Sequence, residues 1–93
     1  MALTIVANQT QSIYVTGTPT ANYKDNKVPM KFSSRYLKIA PLLGDVAFSL
    51  NGGSSTDGVV KAGEVFDFEG MQVSNLALKI ASGAPDIRLW AWK

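Results

Sequence analysis

Eight runs of strand length alternate apolar and polar residues along this chain: "LTIVA" (3–7), "QSIYVT" (11–16), "VPMKF" (28–32), "RYLKIA" (35–40), "DVAFSL" (45–50), "EVFDF" (64–68), "LALKIA" (76–81) and "IRLWAW" (87–92). A period of two puts one set of side chains on a core face and the other on a solvent face, as half-buried strands require. The runs are rich in Val, Ile, Phe, Tyr and Trp, and Gly, Pro, Asn and Asp punctuate them. No long segment carries a helical period. The pattern predicts an all-β chain, a single small antiparallel β-sandwich of jelly-roll-like or Ig-like type with about eight short strands, filling residues 1–93 as one domain. A chain of 93 residues buries roughly 60–65% of its unfolded surface, enough for a thin core.

The connections have recognisable chemistry. "APLLGD" places Pro41 and Gly44 between two runs, and "KAGE" offers Gly63 where a tight turn needs positive φ. "SNLALKIASG" carries Ser74 and Gly83 as candidate helix caps, but Leu76, Leu78 and Ile80 alternate as a strand does. With "SGAP" as its turn, the stretch 76–92 reads as a terminal β-hairpin. "GTPTANYKDNKVP" (17–29) and "NGGSSTDG" (51–58) are polar and long for hairpin loops.

Composition narrows the chemistry. Histidine and cysteine are both absent, which removes the commonest general base, the thiol nucleophile and the usual soft-metal ligands. The seven carboxylates, Asp25, Asp45, Asp57, Glu64, Asp67, Glu69 and Asp86, show no catalytic spacing, and neither polar loop has the ligand pattern of a calcium loop. Neither GxGxxG nor GxxxxGK[ST] occurs. The expectation is a protein that is not an enzyme and has no cofactor or metal. Nine basic against seven acidic residues leave a net charge of +2, with the cations scattered from Lys24 to Lys93, so no nucleic-acid partner is expected. The N-terminal stretch "MALTIVANQTQS" lacks a basic leader region, and no stretch approaches the roughly 20 apolar residues of a membrane span, so neither an export signal nor a membrane partner is expected.

The aromatic residues are more informative. If Ile13 and Val15, Leu37 and Ile39, Val46, Phe48 and Leu50, Leu76, Leu78 and Ile80, and Ile87, Leu89 and Ala91 face inward, then Tyr14, Tyr36, Trp90 and Trp92 take outward parities. Large amphipathic rings of this kind are over-represented at the centres of protein interfaces. Trp90, Trp92, Tyr14, Tyr36, Arg88 and Tyr23 are the candidate partner-interface residues. Indoles at i and i+2 lie about 7 Å apart along a strand. That spacing also suits a stacking platform for adjoining sugar rings, the alternative of a carbohydrate-binding module.

The succession "RYLKIAPLLGDVAFSLNGG", "VVKAGEVFDFEGMQVSNLALKIASG" and "IRLWAW" resembles the small β-sandwich virion proteins of tailed bacteriophages over residues 35–92. The resemblance implies a non-enzymatic capsid decoration or cement protein, or a neck, tail or head-fibre component. Its implied partners are the major capsid protein or other virion proteins, its implied assembly a homo-oligomer with a trimer favoured, and its implied location the virion, assembled in the host cytoplasm.

Overall fold

The computed structural model describes residues 3–93; Met1 and Ala2, the start of the N-terminal stretch in which no export signal is expected, lie outside the described residues. Among the described residues six strands form: β1 (Leu3–Asn8), β2 (Ser12–Gly17), β3 (Ser34–Ser49), β4 (Gly58–Val60), β5 (Phe66–Val73) and β6 (Ala77–Trp92), with a 3₁₀ turn at Tyr23–Asp25. The all-β antiparallel class is as the alternation predicts. The arrangement of the runs differs in an instructive way. The runs 35–40 and 45–50 are two halves of the 16-residue β3, and 76–81 and 87–92 are two halves of the 16-residue β6. "VPMKF" forms no strand, because Val28 is buried while Met30 and Phe32 only pack against the core from a loop.

The halves stay continuous because the turn formers between them bend the chain without reversing it. β3 and β6 pair antiparallel from Tyr36↔Trp92 to Ser49↔Ala77, and the ladder shifts register between Leu42 and Gly44 and again between Asp45 and Val46. At that place Leu43 and Gly83 both have φ of 66°. The predicted terminal hairpin is therefore corrected: the two halves of β6 do not pair with each other, because each is taken by the matching half of β3.

The bend divides the strands between two layers. In the first the order is β1-β2-β6-β3-β5, using the C-terminal half of β6 and the N-terminal half of β3; in the second it is β6-β3-β4, using the other halves. One hydrophobic cluster lies between them. Ile13, Val15, Leu37, Ile39, Ile87, Leu89 and Ala91 come from the first layer, and Val46, Phe48, Val60 and Leu78 from the second. Phe48 of the second layer meets Phe66 of the first with ring centroids 4.6 Å apart. Each fully buried aliphatic side chain stabilises such a core by about 1.5–3 kcal/mol.

The free edge of β6 in the second layer is covered by the segment that follows β2. Val28 donates its N–H to the Leu76 carbonyl at 2.8 Å, while Leu78 and Ile80 donate to the carbonyls of Asn26 and Thr20 at 3.1 and 3.0 Å. Asn26, buried to 2% exposure, holds this segment in shape: its amide donates to Thr20 Oγ1 and the Asn22 carbonyl and accepts the Thr20 N–H. A buried polar side chain bonded at both ends fixes the loop without an unsatisfied group, and the covered edge no longer offers open hydrogen bonds.

Asp45 ties the bend to the turn between β4 and β5. Its carboxylate accepts the Ala62 N–H at 2.9 Å, and this bond, with a second from Ser82, holds the carboxyl below the usual aspartate value. A carboxyl depressed in the folded state stabilises the fold above its unfolded pKa and loses that contribution as the pH falls through the folded one. Stability of the wild type should therefore fall more steeply than that of Asp45→Asn as the pH drops through and below the ordinary aspartate range. Urea midpoints taken along an acid series check this, and parallel curves would show that the two bonds add nothing.

Candidate functional site

The outer face of the first layer carries the aromatic residues. On β6, Ile87, Leu89 and Ala91 are 0, 0 and 1% exposed, whereas the alternate Trp90 is 37% exposed. The register then decides which side chains meet. Trp90 lies between Tyr14 of β2 and Lys38 of β3, and Trp92 between Ser12 and Tyr36. Tyr14 stacks on Trp90 with centroids 5.2 Å apart and planes 21° apart; Tyr36 stacks on Trp92 at 5.4 Å and 15°. Cross-strand aromatic pairs of this geometry contribute about 0.5–1.5 kcal/mol each beyond the area they bury.

Arg88 continues the same face two residues before Trp90, opposite Thr16 and Ala40, and is exposed. Lys38 reaches Asp67 of β5 at 3.8 Å, the one ion pair among the described residues. Both partners are substantially exposed, so the pair neutralises charge locally and adds little stability. Arg88 has no such ion pair among the described residues. Between these groups lies a shallow depression of about 430 Å³ lined by Lys38, Ala40, Val65, Trp90 and Trp92. Its rim is apolar as well, with Leu42 49% and Val65 62% exposed.

Five of the six candidate residues thus share one face. Tyr23 does not. Its hydroxyl pairs with Thr56 Oγ1 at 2.6 Å, Lys79 Nζ sits 4.9 Å from its ring centroid, and its Cβ packs against Gly53. It anchors the 51–58 loop to the second layer and is no part of the patch. Ala40, Leu42 and Val65 belong to the patch but were not expected there. The parity of Tyr36 and Lys38 leads to Ala40 and Leu42 once β3 is carried through Pro41.

Compared by sequence, the chain matches no protein-family profile and no curated protein. Compared by structure, it has the fold of the cupins, the double-stranded β-helix. The conserved protein SPY1581 of Streptococcus pyogenes, of unknown function, superposes with a TM-score of 0.62 at 12% identity, over 98% of this chain and 72% of that one. An RmlC-like cupin with a double-stranded β-helix fold from Methanocaldococcus jannaschii superposes at 0.58 and 9% identity, over 98% and 77%. The Fe(II) form of HppE in complex with substrate superposes at 0.58 and 7% identity, over 97% of this chain and 52% of that one. At these identities the likeness defines the fold.

This finding overturns the virion resemblance, and with it the capsid-decoration, neck, tail and head-fibre functions, the capsid and virion partners with the favoured trimer, and the virion location. The stretches that carried the resemblance report local turn chemistry. Gly52 and Gly53 of "SLNGG" and Gly63 of "KAGE" all have positive φ, a requirement of tight turns in any β-sandwich. The carbohydrate-binding alternative falls too: the structural neighbours named above give it no support, and each indole already turns a ring face to a tyrosine.

An iron(II) centre of the kind named for HppE needs imidazole and carboxylate donors around an open position. This chain has no histidine or cysteine. The cluster between its layers is aliphatic and aromatic, the buried polar side chains are Asn26, Ser34 and Ser49, and among the described residues no three of His, Cys, Asp and Glu come together. The residues present do not fit such a metal.

Proposed function

We propose that this chain is a non-enzymatic binding domain that docks a partner protein on the outer face of its first layer. The observation that carries this is the pair of stacks, Tyr14 on Trp90 and Tyr36 on Trp92, set beside an apolar depression on a sheet face that no other part of the described chain covers. Among the described residues the cluster between the layers is packed from apolar side chains, which favours a role for the outer face. Trp, Tyr and Arg are the residue types that most often dominate binding energy at interfaces.

The charges specify the occupant. Lys38 is neutralised by Asp67, while Arg88, opposite Ala40 of the depression, pairs with no carboxylate among the described residues, and Glu69 and Asp86 are the acidic groups at the margins of the same face. A partner segment that places an aromatic or branched aliphatic side chain in the depression and a carboxylate beside it would pair with Arg88. An Arg–carboxylate pair adds geometric specificity to the apolar contact.

Panning a random peptide display library against the purified domain tests this. Sequences with a large apolar residue next to Asp or Glu should be enriched, and a synthetic peptide of the consensus should shift the tryptophan fluorescence. Replacing Trp90 and Trp92 together with Ser should weaken that peptide by about 2 kcal/mol or more, some 30-fold. The double variant should still unfold cooperatively, with a stability loss of about 1–3 kcal/mol from the two lost stacks. Absence of enrichment, or binding that survives in a folded double variant, would defeat the proposal.

A further inference from the structure

Asn51 and Gly52 form the only Asn-Gly pair in the chain; the other asparagines precede Gln9, Tyr23, Lys27 and Leu76. The pair sits in the loop between β3 and β4. Glycine after asparagine removes the Cβ that would crowd the following backbone nitrogen. That nitrogen can then approach the asparagine side-chain carbonyl carbon.

The loop holds both reacting groups. The Gly52 N–H donates to the Asn75 carbonyl at 2.7 Å. Asn51 Oδ1 accepts the Ser49 hydroxyl at 2.7 Å and the Ser55 N–H at 3.3 Å, while Nδ2 donates to Ser55 Oγ at 3.1 Å. Ser49 is itself fully buried, and its Oγ also accepts the Gly53 N–H at 2.9 Å. The nucleophile is tied to one strand connection and the electrophile to another.

We propose that Asn51 is a site of spontaneous deamidation that the folded loop holds shut and that reacts only when residues 49–55 open. In the open loop the Gly52 nitrogen gives its proton to solvent base and attacks Cγ of Asn51. The N–Cγ bond forms, Nδ2 takes up a proton from solvent as the Cγ–Nδ2 bond breaks, and ammonia departs to leave a five-membered succinimide. Water then opens the ring at either carbonyl, leaving aspartate or isoaspartate at position 51.

The product differs from the reactant in two ways that matter locally. It adds a negative charge to a loop that already contains Asp57, whose carboxylate accepts the Leu50 N–H at 2.6 Å. The isoaspartate form also adds a backbone atom before Gly52, which moves the Gly52 N–H away from the Asn75 carbonyl. An opening that ends in reaction is therefore not reversed by re-closing, and the pair records how often this loop has opened. Openings of this kind have free energies from near zero up to that of global unfolding.

The full chain, incubated at mildly alkaline pH in buffer and in urea above its unfolding midpoint, tests the proposal by peptide mapping with mass detection at position 51. Conversion in buffer should be at least about tenfold slower than in urea, the ratio reporting the cost of opening. Ser55→Ala, which removes the acceptor of Nδ2, should speed conversion severalfold in buffer and leave the rate in urea unchanged. Equal rates in buffer and urea would overturn the proposal. So would a Ser55→Ala rate in buffer no faster than wild type, or no conversion at position 51 in urea.

Discussion

Leu89→Ala should lower the free energy of unfolding by about 3–4 kcal/mol, within the range for truncating a leucine in a packed core. Leu89 is fully buried at the middle of the first layer, opposite Val15 on β2 and Ile39 on β3, both also fully buried. Its neighbours on both sides are paired strands, so the space left by the three removed carbon atoms would be filled poorly. For a domain whose total stability is about 5–15 kcal/mol, this is a large fraction. Leu43→Ala is the internal comparison: Leu43 is 80% exposed, and its truncation should move stability by no more than about 0.5 kcal/mol. Urea unfolding reads both, with a lower midpoint and unchanged slope for Leu89→Ala. Equal midpoints for the two variants would mean that the space between the layers is not a solid scaffold. The proposed function depends on that scaffold, because Trp90 follows Leu89 directly and owes its place on the outer face to the register that Leu89 locks.

The side-chain parities were legible because they are local. Alternation alone assigns Ile13, Val15, Leu37, Ile39, Leu89 and Ala91 to the core and Tyr14, Tyr36, Trp90 and Trp92 to the opposite face, and the register confirms both sets. What was not legible is what a turn former does in three dimensions. "APLLGD" and "SGAP" have the composition of hairpin turns, yet the chain passes through both without reversing, since each half-strand already has its partner on the other long strand. The same ambiguity hid Leu42, assigned to a turn although it extends the outward series Tyr36, Lys38, Ala40. Tyr23 shows the opposite failure. Its residue type suits an interface, but its position depends on how the 18–33 segment packs on β6, and no period encodes that. The virion resemblance failed for a related reason, since turn glycines recur wherever strands must turn and carry little about ancestry or partners.

Gly44→Ala should cost about 3 kcal/mol or more, at the upper end of the range for inserting a methyl group where none fits. A Cβ on Gly44 would lie 2.6 Å from the Ser82 carbonyl oxygen, 2.7 Å from the Pro85 nitrogen and 2.8 Å from the Ala84 nitrogen. All three are backbone atoms, so no side chain can rotate away, and the bends of β3 and β6 would have to separate. Those bends fold the first layer over the second, which makes this contact the joint of the sandwich. Gly63→Ala separates this effect from backbone strain. Gly63 has φ of 85°, but a Cβ there meets nothing within 4 Å. That change should therefore cost only the left-handed penalty of about 1–2 kcal/mol. Urea midpoints of the two variants should differ clearly, with Gly44→Ala the lower. If Gly44→Ala matched wild type, the two bends would not be in contact, and the layers would have to be joined in some other way. If it matched Gly63→Ala, the cost would be conformational rather than steric. The expected order, with Gly44→Ala below Gly63→Ala below wild type, follows from close approach being the tighter constraint at the bend.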